Sequence, residues 1–249
     1  SNMQDKTALI TGAAAGLGRA TALKLAAAGA NLCIVDIDGD GLAVTAQEAR
    51  TMGVDVVVKV ADLGVAQNCR EAVNLAVDTF NRLDALCNVA AVFMPCHSAE
   101  MPEEDWSKSI AVNLSAPFLL FQAAIPHLLQ TGGAVVNVTS CAAFQGQAYT
   151  AAYCATKAGL THMTKALAME YIKHPVRINA VAPGGMMTGL AAGLRDLQQP
   201  DPDLLKRYSP LRGLVEIDDV AAMVAFLATD AARGYHGASI SVDNGISAG

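Results

Sequence analysis

The sequence predicts an α/β fold built on a parallel sheet, and three observations carry that prediction. Strand-sized apolar runs alternate with helix-sized segments along the whole chain. Hydrophobic residues make up 53% and charged residues 16%, the balance that strands buried on both faces require. A length of 249 residues suits one large sheet better than two small domains.

Thr7–Thr11 reads as the first strand and Gly16–Ala28 as the first helix. Asn31–Asp36 is the second strand, followed by a helix at Leu42–Thr51, and Asp55–Val60 is the third. The helix Gln67–Asn81 leads to a strand at Ala85–Ala90. Glu103–Leu129 has a helical pattern, with a kink or break expected at Pro117 and Pro126. A β-rich run, Ala134–Ser140, precedes a long helix, Ala148–Lys173, and a strand, Val176–Ala182. Ile217–Ala228 is the last helix and Ser239–Val242 the last strand. No repeat, low-complexity tract or linker interrupts this order, so residues 3–249 read as one domain. Ser1-Asn2 ahead of Met3 resembles the remnant of a cleaved tag. The exception to the regular alternation is Gly184 to Arg212, a Pro-containing excursion whose Met and Leu content suggests a lid over a ligand.

Composition excludes several classes of function. A net charge of −6, spread along the chain, offers no basic stripe for nucleic acid. No apolar run approaches the length needed to cross a bilayer, and no secretory signal is recognisable. The six cysteines lack paired spacing and read as reduced thiols of a cytoplasmic protein. Cys96-His97 has no further ligands nearby in sequence, so no metal is assigned.

The turn Thr11-Gly12-Ala13-Ala14-Ala15-Gly16-Leu17-Gly18 follows a strand and opens a helix, the context in which a glycine pattern seats a dinucleotide pyrophosphate. Gly12 permits the tight turn, Gly16 lets backbone approach the phosphates, and Gly18 lets the helix pack against the sheet. Asp36 closes the second strand, where a carboxylate accepts hydrogen bonds from the adenosine ribose and repels a 2′-phosphate. Neither Ala15 nor Ile37 is basic, so NAD is favoured over NADP. A turn-capping role for Asp36 stays open beside this reading. Asp62-Leu63 follows the third strand, where it can meet the adenine or simply make a turn. Tyr153 and Lys157 lie four residues apart, on one helix face, where an ammonium can ease proton loss from a phenol.

Together these pieces resemble the short-chain dehydrogenase/reductase family, in its single-domain branch, over essentially the whole chain. The resemblance rests on the glycine turn, Asp62-Leu63, Asn113 in Val-Asn-Leu, Ser140 at a strand end, Tyr153-x-x-x-Lys157, and Pro183-Gly184 with Thr188. It implies a Rossmann-type doubly wound sheet of seven mainly parallel strands in the order 3-2-1-4-5-6-7. It also implies hydride transfer between NAD and a secondary alcohol or ketone. Tyr153 would be the general acid/base, Lys157 would lower its pKa and hold the nicotinamide ribose, and Ser140 would hold the substrate oxygen. Asn113 would anchor a proton-relaying water. Asn88, Ala90, Pro183, Gly184, Met186 and Thr188 would also contact the cofactor.

Two departures stand out. Asn88-Val89-Ala90-Ala91 replaces the usual Asn-Asn-Ala-Gly, removing a polar tie in the sheet and adding a methyl beside the cofactor. Asp243-Asn244-Gly245 replaces Asp-Gly-Gly, which a turn tolerates because Asn accepts positive φ. The substrate is expected to meet Phe93, Met94, Ala142, Phe144, Gln145 and Tyr149, with Gly185, Met186, Met187 and Leu190 from the lid. This largely apolar lining suits a steroid-like, cyclic or acyl substrate. The family is commonly tetrameric. The run Phe118–Phe121 and the face carrying Leu160, Met163, Leu167 and Met169 serve either such pairing or the core. Two alternatives remain: an NADPH-preferring reductase of 3-oxoacyl carbonyls, which Asp36 opposes, and a non-catalytic dinucleotide-binding regulator, which the intact Asn113, Ser140, Tyr153 and Lys157 oppose.

Overall fold

The computed structural model describes residues 2–187, 193–194 and 197–248. Seven strands run as β1 (Thr7–Thr11), β2 (Asn31–Asp36), β3 (Val56–Val60), β4 (Ala85–Asn88), β5 (Ala134–Val138), β6 (Arg177–Pro183) and β7 (Ser239–Val242). All neighbouring pairs are parallel and the sheet order is β3-β2-β1-β4-β5-β6-β7. The order reverses between β1 and β4, which opens a crevice at the carboxyl ends of those strands.

The helices are α1 (Gly16–Ala27), α2 (Gly39–Arg50), α3 (Ala66–Phe80), α4 (Glu103–Ile110), α5 (Ala116–Thr131), α6 (Ala151–Glu170), α7 (Pro202–Lys206) and α8 (Ile217–Ala228). The period of two along each strand sorts its side chains into two cores. Ala8, Ile10, Leu32, Ile34 and Val136 pack beneath α1, α2 and α8. Leu9, Cys33, Val35, Leu86, Val135 and Ile178 pack beneath α3, α5 and α6. Cys33 and Cys69 are buried in this second core and Cys87 in the first, and burial pushes their thiols up to about 12, 11 and 12 respectively, so they stay protonated.

The helix from Glu103 to Thr131 does not break at its prolines. Instead, residues Ala111–Ser115 form one π-helical turn between α4 and α5. Pro117 has no N–H for the Asn113 carbonyl one turn back, and the wider turn takes up that mismatch. Pro126 sits inside α5, and Gln122, which loses its partner, is exposed to water. An 18-residue window of this continuous helix has a mean hydropathy of 1.4, correcting the expectation that no segment is long and apolar enough to cross a bilayer. Half of that window is buried inside the fold, as in a core helix packed on α3 and the sheet.

Several element ends also differ from expectation, and three of them have a visible cause. β4 stops at Asn88 because the Val89 and Ala90 N–H groups both donate to Thr11 Oγ1, at 3.0 Å each, rather than to a strand. β5 stops at Val138, and Ser140 caps a short 3₁₀ turn by accepting the Ala142 N–H at 3.1 Å. α6 begins at Ala151 instead of Ala148 because Tyr149 is left-handed, at φ 67°. Of the apolar residues open to either pairing or burial, Leu120, Phe121, Leu160 and Leu167 are buried, while Phe118 and Met169 are exposed.

Candidate active site

The strand ends at the crevice surround a cavity of ≈ 400 Å³. One half is formed by the glycine turn, with Gly12, Ala15, Gly16, Leu17 and Gly18 in its wall. Gly12 has φ 69° and Gly16 φ 51°, values that favour glycine. A Cβ on Gly12 would stand 2.9 Å from Ala90 Cα, and one on Gly18 would stand 1.9 Å from the Gly12 carbonyl oxygen. The role of Gly18 is therefore to admit the turn itself. Ala15 caps α1 without a side-chain hydrogen bond, so the first amides of the helix are left for a ligand. A bare backbone cradle at an uncapped helix start fits a dinucleotide pyrophosphate.

Asp36, Ile37, Ala61, Asp62 and Leu63 continue this wall. Asp36 accepts the Ala14 N–H at 3.1 Å on one carboxylate oxygen and the Asp38 N–H at 3.1 Å on the other. It caps its turn and faces the cavity at once, and each oxygen keeps a second lone pair. Asp62 accepts the Gly64 N–H at 2.8 Å while lining the cavity. Asn88 lies behind the wall, buried, and donates to Asn137 Oδ1 at 2.8 Å. This bond and the Thr11 hydroxyl tie the central strands, so Val89 costs the sheet less polar bonding than the sequence suggests. Val89, Ala91 and Val92 line the cavity, as do Lys108 and Val112 on the α4 side and Val138 and Thr139 at the end of β5. Sequence reasoning gave none of these a site role except the Ala91 methyl; their signal is adjacency to Ala90, Asn113 and Ser140.

Ser140, Tyr153 and Lys157 line the other half with Pro183, Gly184 and Met186. Lys157 is buried at 2% exposure and its Nζ donates to the Val138 carbonyl at 2.8 Å. Its ammonium is 5.6 Å from the centroid of the Tyr153 ring. Burial pulls the Lys157 ammonium down to about 8. Burial likewise pushes the Tyr153 phenol up to about 12, against an opposing hydrogen bond from Ser140. In the protein alone the phenol is thus raised rather than lowered, because desolvation outweighs the Ser140 hydrogen bond. Phe93 packs edge-on against Tyr153, with centroids 5.0 Å apart and planes at 86°.

Asn113 sits in the π turn, fully buried. Its Oδ1 accepts the Val92 N–H at 2.8 Å, and its Nδ2 donates to the Val92 carbonyl at 2.9 Å. The side chain is spent on holding the β4–α4 loop, which leaves the main-chain carbonyl, deprived of the Pro117 N–H, as the group able to hold water.

The remaining expected substrate residues that the structure describes fall outside the cavity wall. Ala142 is buried behind Ser140, while Phe144 and Met187 are 48% and 73% exposed. Gln145 has a buried amide nitrogen with no partner. The Tyr149 hydroxyl accepts the Asp201 N–H at 2.8 Å. Met94 and Gly185 do not line the cavity. Thr188 and Leu190 lie outside the described residues. His97 Nε2 lies 2.9 Å from the Gln198 carbonyl, and among the described residues no three His, Cys, Asp or Glu side chains gather as a metal site.

A family model described as enoyl-(acyl carrier protein) reductase matches residues 12–247. The chain is 36% identical to the 2,5-dichloro-2,5-cyclohexadiene-1,4-diol dehydrogenase LinX of Sphingobium indicum, over 100% of this chain and 99% of that protein. Among solved structures it resembles a short-chain dehydrogenase from Mycobacterium paratuberculosis bound to NAD, with TM-score 0.93, 28% identity and 100% coverage of both chains. It also resembles a carveol dehydrogenase from Mycobacterium avium in complex with NAD, with TM-score 0.88, 28% identity and 98% coverage of both. This chain belongs to the short-chain dehydrogenase/reductase family and is an oxidoreductase acting on CH–OH groups.

Proposed function

We propose that this protein is an NAD-dependent dehydrogenase of a ring-bearing, largely apolar secondary alcohol, with Tyr153 as general acid/base. The observation that carries this reading is that Ser140, Tyr153 and Lys157 share one cavity with the glycine turn and Asp36. Two similar structures are named as holding NAD, and the named relatives act on a cyclohexadiene diol and on carveol. The apolar walls Val92, Val138 and Met186 suit such a ring.

When bound, NAD supplies the hydride acceptor and a positive charge beside the phenol. Tyr153 takes the hydroxyl proton of the alcohol, or returns it in the reverse direction. Ser140, already fixed by the Ala142 N–H, orients the alcohol oxygen and stabilises the phenolate through its hydroxyl. Lys157 holds an ammonium beside Tyr153 and reaches the nicotinamide ribose, while the Asn113 carbonyl holds the water that passes the proton outward. Gly12, Gly16 and the first amides of α1 take the pyrophosphate, and Asp36 takes the adenosine ribose. The whole chain acts as one domain, with residues 184–212 as its lid. We further infer a homotetramer in which exposed Phe118 and Met169 are covered, and a reducing, cytoplasmic setting for its six free thiols. Sedimentation of the purified protein as a monomer would exclude that assembly.

The test is turnover with NAD and with NADP across ring alcohols, steroids and 3-hydroxyacyl thioesters. Ring alcohols should be oxidised with NAD, and Tyr153→Phe should abolish turnover while NADH still binds. Retained turnover in Tyr153→Phe would overturn the mechanism, and equal affinity for NADP would overturn the role of Asp36.

A further inference from the structure

Tyr149 is left-handed, at φ 67°, a conformation that a bulky residue keeps only where its surroundings fix it. Its carbonyl accepts the Cys96 N–H at 2.9 Å. Its hydroxyl accepts the Asp201 N–H at 2.8 Å. Its ring packs against His97, with centroids 5.0 Å apart and planes at 68°. His97 in turn places Nε2 2.9 Å from the Gln198 carbonyl, and since a carbonyl only accepts, the ring proton lies on that nitrogen. From the other side, the Tyr208 hydroxyl donates to the Ala148 carbonyl.

Asp201 caps the start of α7 and Tyr208 lies two residues beyond its end. Adjacent positions 148 and 149 therefore grip both ends of this short helix. Tyr149 and His97 take hold of backbone atoms, which leaves the grip independent of the side chains at Gln198 and Asp201. The segments that carry Tyr149 and His97 lead directly to the chemistry. Phe93, four residues before His97, packs on Tyr153, four residues after Tyr149. Gly193 also presses on this loop, since a Cβ there would stand 3.2 Å from Pro95 and 3.4 Å from the Phe93 carbonyl.

We propose that Tyr149 and His97 form a latch that holds residues 198–208 against the substrate side of the cavity, and that this latch determines which alcohols are admitted. Both act as positioning residues through that segment and the Phe93 loop, without touching the reacting atoms. The kinetic consequence rests on the proposed alcohol oxidation; the mechanical one does not.

Tyr149→Phe and His97→Phe each remove one hydrogen bond and keep an aromatic ring, so these segments stay packed. Trypsin reports on the segment directly, through Lys206 and Arg207. Both variants should be cleaved there several-fold faster than the wild type, and His97→Gln, which keeps an N–H donor, should restore slow cleavage. With NAD, the KM for a ring alcohol should rise about fivefold, the ratio set by one ordinary net hydrogen bond. Turnover number, NADH affinity and the KM for propan-2-ol should stay unchanged. Equal cleavage rates in wild type and variants would overturn the latch. Faster cleavage with an unchanged ring-alcohol KM would overturn its role in specificity. A wild type that oxidises no alcohol would instead overturn the proposed activity, and cleavage would still decide the latch.

Discussion

The Lys157 ammonium lies 5.6 Å from the centre of the Tyr153 ring and spends a 2.8 Å hydrogen bond on the Val138 carbonyl. The charge next to the phenol is therefore held by the sheet, from beneath, and the phenol itself stays protonated. Holding that charge in the interior is costly. Its pKa falls from 10.5 to about 8, so at neutral pH burial of the cation opposes folding by on the order of 3 kcal/mol.

Lys157→Met should therefore raise the melting temperature at pH 7 while abolishing turnover. The sign follows from proton counts. Below pH 8 both folded and unfolded chains hold the proton, and the full cost is present. Between pH 8 and 10.5 the unfolded chain binds more protons than the folded one, so wild-type stability rises and the advantage of the variant shrinks. Denaturant unfolding of both proteins at pH 7 and pH 10 checks this. A wild type more stable than Lys157→Met at pH 7 would show that the Val138 bond outweighs desolvation.

Gly18→Ala should fail by collision with backbone. The new Cβ would stand 1.9 Å from the Gly12 carbonyl oxygen, and neither backbone segment can move without opening the turn. The expected cost is about 3 kcal/mol or more, with loss of NADH binding. Gly146→Ala is the control, because nothing lies within 4 Å of its Cβ and the change should stay within about 0.5 kcal/mol. Thermal melts and NADH fluorescence titration on both variants decide it; equal stability would mean that the turn relaxes.

Asp36→Ala should weaken NAD binding and improve NADP binding about tenfold, because it removes a carboxylate that repels the 2′-phosphate. It also frees the Ala14 and Asp38 N–H groups, which then become donors at the turn. Equilibrium binding of both dinucleotides measures this without turnover. An unchanged preference would leave Asp36 as a turn cap alone.

The alternation of strands and helices was legible in local patterns: the apolar strand-sized runs, the glycines after β1 and the four-residue step from Tyr153 to Lys157, while the sheet order came only with the family resemblance that these motifs carry. What was not legible depends on contacts between distant segments. The π turn at Asn113 arises from Pro117 meeting the needs of the β4–α4 loop. Tyr149 looked like a substrate contact because its sequence neighbours lead to Tyr153. Its hydroxyl is instead taken by Asp201, far along the chain. Likewise, Asn88-Val89 looked like a loss of polar bonding because neither Thr11 nor Asn137 is near it in sequence.

The Asn88–Asn137 contact has a measurable consequence for the sheet. Asn88 donates to Asn137 at 2.8 Å, and Asn137 donates onward to Thr164 at 3.0 Å, all within the buried middle of the sheet. The Asn88 Oδ1 atom itself has no partner. Removing Asn88 thus relieves one orphan acceptor and creates another, on Asn137. Asn88→Ala should cost about 2 kcal/mol, less than a fully paired buried amide with its cavity. Combining it with Asn137→Val removes the stranded acceptor, so the two losses should fall short of additive by about 1 kcal/mol. A double-mutant cycle by urea unfolding measures the difference. Additivity would mean that the Asn88–Asn137 bond does not tie β4 to β5, and that the family's missing second asparagine is a real loss to this sheet.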